Sequence, residues 1–146
     1  MYIRRASSPS TVLCAFHTIQ PSSFCLCLIH SHTRFPFAFP LRSVTAKAVC
    51  ACLLQVFSLV GIPSVITSDN FCSQLNDKFM ELFGCRPRFS TVLHPEGNSL
   101  VERLKQSLKR MLTLVSQKYP KQWHKLLPIV LWCIRESRNE TLGVSP

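Results

Sequence analysis

The chain has 146 residues, 47% of them hydrophobic, and a formal net charge of +10. That length suits one domain with a real core, and that composition excludes a disordered tail. No apolar run is long enough to span a bilayer, and Arg4 and Arg5 come without an amphipathic period or cleavage signal, so no membrane span and no targeting peptide are expected.

The charge is unevenly placed. Residues 1–68 hold five Lys or Arg and no Asp or Glu, whereas Arg86 to Lys125 holds nine Lys or Arg against Glu96 and Glu102. A basic stripe is what a binder of phosphate backbones needs, because each neutralised phosphate releases counterions. A solvated helix face would read the same on charge alone. Among the eight cysteines, Cys25-x-Cys27 followed by His30-x-His32 offers zinc-ligand types without the usual ligand spacing. Reduced, mostly buried thiols are the expectation, which fits a nuclear or cytoplasmic protein and not a secreted one.

In chain order, residues 1–23 have weak periodicity and stay unassigned, which leaves 24–146 as the domain. Phe24 to Ile29 is a short apolar run suited to a buried strand. Phe35 to Leu41 contains Pro36 and Pro40, which confines any strand there to a sheet edge. Ser43 to Val60 reads as a helix capped by Ser43 or Thr45. Its stripe is Val49, Leu53, Val56, Phe57 and Val60, and Gly61 and Pro63 stop it. Ser64 to Thr67 is a short strand that delivers Asp69 at its C-terminal end, where α/β sheets place functional groups.

Leu75 to Phe83 predicts a second helix with Leu75, Phe79, Leu82 and Phe83 on one face. Arg88 to Val92 predicts a strand, and Leu93 to Asn98 a loop. Ser99 to Lys118 is the longest expected helix, striped by Leu100, Leu104, Leu108, Met111 and Val115. Trp123 to Asn139 closes the chain as a helix, with Trp123 and Trp132 expected in the core. Strands alternating with helices indicate an α/β sandwich around a mixed sheet.

Two carboxylates stand out. Phosphoryl transfer by two metal ions needs carboxylates converging from different elements. Asp69 at a strand end and Glu102 in the first turn of a helix are such a pair, and Glu102 would there suit the helix dipole. On the helix that carries Glu102, the 3.6-residue period brings Lys105, Gln106 and Lys109 to its side, as candidate contacts to a phosphate or base. Arg103 and Arg110 fall elsewhere on that helix.

The surrounding words are more specific. Gly61-Ile62-Pro63, Val65-Ile66-Thr67-Ser68-Asp69-Asn70, Phe89-Ser90-Thr91, Leu93-His94-Pro95 and Leu100-Val101-Glu102-Arg103 occur in order. Trp123-His124-Lys125-Leu126-Leu127-Pro128 and Asn139 to Pro146 follow them, and Pro40 to Ala46 leads in. Together, over about 24–146, they resemble the integrase catalytic core of gypsy-type LTR retrotransposons and retroviral Pol polyproteins.

The resemblance implies a ribonuclease H-like mixed sheet flanked by helices, incomplete at its N-terminal strands. It implies Asp69 and Glu102 as catalytic residues and ligands of Mg²⁺ or Mn²⁺, and DNA (element ends and target) as partner. A homodimer through the C-terminal helices is a further implied partner.

The chain also departs from that pattern. Asn70 runs directly into Phe71 where the family has a Gly, and the stretch from Asp69 to Glu102 is shorter than the family's; a short deletion after Asp69 explains both. Ser99 replaces a frequent Gly. The family's first Asp belongs roughly twenty residues before His30 on the central strand, and no acid occurs there. Metal occupancy and strand transfer are therefore expected to be impaired or lost. Residues 10–19 are apolar enough to fill the central strand without the carboxylate. The alternatives are a non-enzymatic DNA- or protein-interaction module, and an active integrase whose true N-terminus differs.

Overall fold

The computed structural model describes residues 11–20, 23–68, 74–89 and 95–137. Its first three strands come from the acid-free half of the chain: β1 (Thr11–Gln20), β2 (Ser23–His30) and β3 (Pro36–Leu41). They are followed by α1 (Ala46–Val60), β4 (Val65–Ser68), α2 (Gln74–Phe83), β5 (Arg86–Phe89), α3 (Pro95–Val115) and α4 (Trp123–Glu136), with one 3₁₀ turn at Pro120–Gln122 before α4.

The sheet order is β3-β2-β1-β4-β5. β1 is antiparallel to β2 and parallel to β4, and β4 is parallel to β5. This is the mixed, helix-flanked sheet expected from the sequence. The strand whose absence would leave it incomplete is supplied by Thr11–Gln20, which lies at the centre. β3 pairs with β2 alone, so Pro36 and Pro40 sit on an edge where a missing N–H costs no ladder bond.

Side chains alternate across a strand, so β1 feeds two cores. Val12 and Cys14 join Leu26, Leu28 and Ile66 under Val49, Leu53, Val56 and Phe57 of α1 and Met80 of α2. Leu13 and Ala15 join Cys25, Cys27 and Ile29 under Val101, Leu104, Leu108 and Leu112 of α3, and Trp123, Leu127, Val130 and Leu131 of α4. From Val12 to Ala15 both faces of the central strand are thus dry, which accounts for the unbroken apolar run there.

The helices have local causes. The Thr45 side chain accepts the Ala48 N–H at 3.3 Å and caps α1. Gly61, at φ +85°, ends it, and its own N–H donates to the Phe57 carbonyl at 2.9 Å. Phe57 then meets Phe79 and Phe83 of α2 at centroid distances of 5.9 and 5.5 Å, docking α2 beside α1. Arg135 ties α4 to the edge strand. Its Nη2 and Nε donate to the Pro36 carbonyl at 2.8 and 3.3 Å, and its guanidinium lies 4.4 Å from the Phe35 ring centroid.

Several expectations are corrected. Leu82 is 80% exposed, and among the side chains of α2 that are described the buried one is Met80 at 2%; that of Leu75 lies outside them. β5 begins two residues earlier than read, at Arg86, and residues 90–92 lie outside the described set. α3 begins at Pro95, inside the expected loop. Proline is tolerated at a first helical position because its N–H would go unused there.

The buried stripe of α3 is also rotated. It is Val101, Leu104, Leu108 and Leu112, while Leu100 and Met111 only flank it and Val115 is exposed. On α4, Trp123 is buried as expected but Trp132 is 62% exposed. Cys14, Cys25, Cys27, Cys52 and Cys85 are buried thiols outside any disulfide; Cys50 is half-buried, Cys133 is exposed, and Cys72 lies outside the described residues. Among the described residues, no helix is long and apolar enough to cross a membrane.

The turn after β2 depends on a neutral imidazole. His30 Nδ1 accepts the Thr33 backbone N–H at 3.3 Å and lies 2.9 Å from the Thr33 hydroxyl. Burial, and secondarily the neighbouring His32, hold the His30 pKa below its ordinary 6.5. The unfolded chain therefore takes up this proton first, so stability falls as pH drops below about 6.5. Replacing His30 with Gln is expected to flatten that part of a pH-dependent thermal melt; an unchanged slope would assign it to other groups.

Candidate active site and nucleic-acid interface

β4 ends at Ser68, whose side chain is buried, and the chain passes from there to Asp69. Asp69 and its neighbours through Ser73, together with residues 90–94, lie outside the described residues. The parallel register of β1 with β4 closes on the pair Cys14–Ser68. Ala15, the next residue of β1, is 2% exposed and packs in the core beneath α3. Its antiparallel partner on β2 is Cys27.

Glu102 is the described half of the candidate catalytic pair. It lies one turn deeper in α3 than the sequence suggested, because the helix starts at Pro95. The helix-dipole advantage expected for a first-turn carboxylate is correspondingly reduced, since that field fades within the first turn. Val101 and Leu104 on either side of it are buried, whereas the Glu102 side chain is 50% exposed. Its carboxylate already has a partner: Lys105 Nζ donates to Glu102 Oε1 at 2.8 Å.

The three candidate DNA contacts divide here. Gln106 and Lys109 are exposed, as are Arg103 and Arg110. Lys105 is not: its side chain is only 14% exposed and is turned onto Glu102. Helical spacing sets all three beside the carboxylate, and Lys105 folds back on it. A lysine three residues after a glutamate is within reach for such a pair, and that was the available signal.

Among the described residues, the donor set does not fit a divalent ion. Glu102 meets the Lys105 ammonium, and the strand face beneath the same helix presents a methyl group at Ala15 and a thiol at Cys27. Hard cations such as Mg²⁺ need several oxygens. Among the described residues, no group of three or more His, Cys, Asp or Glu is placed to hold a metal. The Cys27 thiol is itself held far above its ordinary pKa, first by its contact with Cys25 at 3.9 Å and then by burial, so it is no thiolate ligand.

Basic groups continue beyond the pair. From Arg103 to Arg135 the sequence has eight Lys or Arg and no Asp or Glu. Past the end of α3, a cavity of about 260 Å³ is lined by Arg42, Lys121, Trp123 and His124 with Ser23, Pro40 and Leu41. Arg42, Lys121 and His124 are exposed there.

Comparison with known proteins now decides the kinship. No protein-family model matches the chain. The Gag-Pol polyprotein of feline leukemia virus is 34% identical over 131 residues, 84% of this chain and 8% of that polyprotein. The Pro-Pol polyprotein of simian foamy virus type 3 (strain LK3) is 29% identical over 124 residues, 83% of this chain and 11% of its own length. The Gag-Pol polyprotein of baboon endogenous virus (strain M7) is 32% identical over 114 residues, 75% of this chain.

Over most of its length the chain is thus homologous to a segment of retroviral Gag-Pol and Pol polyproteins. Its fold agrees: a chain in the intasome of simian T-cell lymphotropic virus, solved in complex with the PP2A regulatory subunit B56 gamma, superposes with a TM-score of 0.82 at 20% identity. That match covers 99% of this chain and 55% of the solved one. The integrase-like chain thus spans about a tenth of the polyproteins it matches.

Proposed function

We propose that this integrase-core homologue keeps a DNA-binding face and has lost metal-dependent strand transfer. The observation that carries the reading is Ala15. β1 and β4 are parallel neighbours, and their register stops one residue short of Ala15 on one strand and of Asp69 on the other. A third carboxylate converging with Asp69 and Glu102 would therefore come from position 15. The sequence estimate put this position nearer residue 10; the tight β1–β2 connection, from Gln20 to Ser23, brings it closer to His30. A methyl group there leaves two carboxylates, too few to bridge two divalent ions.

In this reading Asp69 and Glu102 are the remnants of the catalytic and metal-binding set, and Mg²⁺ or Mn²⁺ is the cation the family's chemistry would use. Gln106 and Lys109, exposed on α3, contact the DNA backbone, aided by Arg103, Arg110 and the basic rim at Lys121 and His124. Lys105 serves Glu102 in place of DNA. The active-integrase alternative requires a carboxylate on the central strand, and that strand is Thr11–Gln20.

A second reading rests on a separate observation. Ile129 and Trp132, at 55% and 62% exposure, stand three residues apart on the outer side of α4. Exposed residues of that size at helical spacing favour association with a second copy of the chain.

Three outcomes are expected. The purified chain gives no strand-transfer or cleavage product on a labelled element-end duplex with either Mg²⁺ or Mn²⁺; a metal-dependent product would defeat the proposal. Lys109→Ala weakens duplex binding equally across sequences and lowers the log–log salt slope by about 1. An unchanged slope would remove Lys109 from the interface. Trp132→Asp reduces the dimer fraction in sedimentation equilibrium, and a chain monomeric before the change would dispose of the second reading.

A further inference from the structure

We infer that the resident cation of this site is the Lys105 ammonium, which neutralises Glu102 and closes the site to divalent metal. The inference rests on the reading that positions 15, 69 and 102 mark the family's acidic cluster. It goes beyond the loss of one carboxylate, because it says that something else has taken the cation's place.

The geometry is as follows. Lys105 Nζ lies 2.8 Å from Glu102 Oε1, and the lysine is far the more buried of the two, at 14% against 50% exposure. An exposed helical pair normally leaves the lysine the freer partner, its head in water. Here the ammonium is directed inward. Its charge is felt at Cys27, where it opposes the effects that raise that thiol's pKa. Cys27 is the cross-strand neighbour of Ala15. Ala15 and Cys27 share a core with Val101 and Leu104, the α3 residues that flank Glu102 and Lys105, so the ion pair lies on the helix that covers the Ala15 face of the sheet.

Burying an ammonium requires a compensating charge. No acid precedes Asp69 in the chain, so β1, β2 and β3 can offer none. Glu102 is the partner within reach, and Lys105 in turn is the nearest cation to Glu102. A divalent ion entering this arrangement would meet a like charge at contact distance and a carboxylate whose Oε1 is already engaged.

It follows that restoring the carboxylate alone does not restore metal binding. Asp at position 15 would meet Lys105 and form a second ion pair with it. Only when the ammonium is also removed do the acidic groups become free for a metal.

Four forms of the full chain test this: wild type, Ala15→Asp, Lys105→Gln and the double variant. Mn²⁺ binding is read from water-proton relaxation, and thermal midpoints are compared with and without Mn²⁺ and with excess EDTA. Wild type and Ala15→Asp are expected to ignore Mn²⁺. The double variant is expected to bind Mn²⁺ roughly tenfold or more tightly than Ala15→Asp, with an EDTA-reversible rise in midpoint.

If Ala15→Asp alone binds Mn²⁺ as well as the double variant, Lys105 does not close the site and the inference is overturned, while the role given to position 15 stands. If the folded double variant binds no Mn²⁺, the acidic cluster itself is misplaced and both readings are overturned. Should Ala15→Asp not fold, Lys105→Gln against wild type decides. Mn²⁺ should then broaden the Glu102 carboxyl resonance in the variant only, and equal broadening in both overturns the inference.

Discussion

The structure depends on a central strand that is paired on both edges and, from Val12 to Ala15, buried on both faces. β1 is hydrogen-bonded to β2 on one side and β4 on the other, and its side chains alternate between the two helical layers. Backbone groups at such a position have no access to water, so neighbouring strands must satisfy them. The side chains must be apolar or internally compensated. Val12, Leu13, Cys14 and Ala15 meet that condition at exposures of 1–5%. Without this strand, β2 and β3 would form an isolated hairpin and β4 and β5 a separate pair. Everything that positions Glu102 over the sheet follows from β1 joining them.

α3 is the second organising element, and it does two things with one surface. Val101, Leu104, Leu108 and Leu112 are at i, i+3, i+7 and i+11, and they seat the helix on β1 and β2. That seating fixes the azimuth of every other residue on the helix. Glu102 and Lys105, each adjacent to a buried anchor, fall at the rim of the buried stripe. Gln106, Lys109 and Arg110 fall further out. Whether a basic residue on α3 faces solvent or the site is thus set by the anchors and not by its own chemistry.

This explains what could be read from the sequence. Periods of two and 3.6, cap residues and turn residues identified α1 with its Thr45 cap and Gly61 stop, the β2 strand and the edge placement of β3. Those signals are local, and the structure uses them as they stand. The misreadings came where two neighbouring apolar residues competed for the core. Leu100 against Val101 and Val115 against Leu112 differ by about 100° and about 60° of helix rotation, and Leu82 against Met80 by about 160°, choices that only tertiary packing settles. The start of α3 was misread because Pro95 and Gly97 signal a loop, whereas proline at a helix's first position is compatible with the helix.

At the site, Asp69 and Glu102 were nameable as candidates from the words that flank them. The inward turn of Lys105 was not, since it depends on a burial pattern that no motif records. Ala15 was harder still. Its significance is a matter of strand register, and register is set jointly by the β1–β2 turn and the parallel crossover to β4. Residues 11–20 contain no acid to draw attention, only the apolar pattern of a strand.

The substitution pattern also explains how a fold can outlast its chemistry. A catalytic carboxylate on a central strand is an expense to the core: left without a counter-ion, a buried charge costs several kcal/mol, roughly 3–5 when one partner of a buried pair is removed. Metal normally offsets that cost in a working site. With Ala15 in the strand, the penalty on that side vanishes and the methyl group joins the packing beneath α3. Glu102 remains, at the rim, and Lys105 neutralises it without any ion from solution. The two residues are complementary in effect: one removes a negative charge from the interior, and the other supplies a positive charge to the acid that is left. On the proposed reading, they replace a metal-dependent electrostatic balance with one encoded in side chains, and the sheet needs no bound cation to hold its charges in balance.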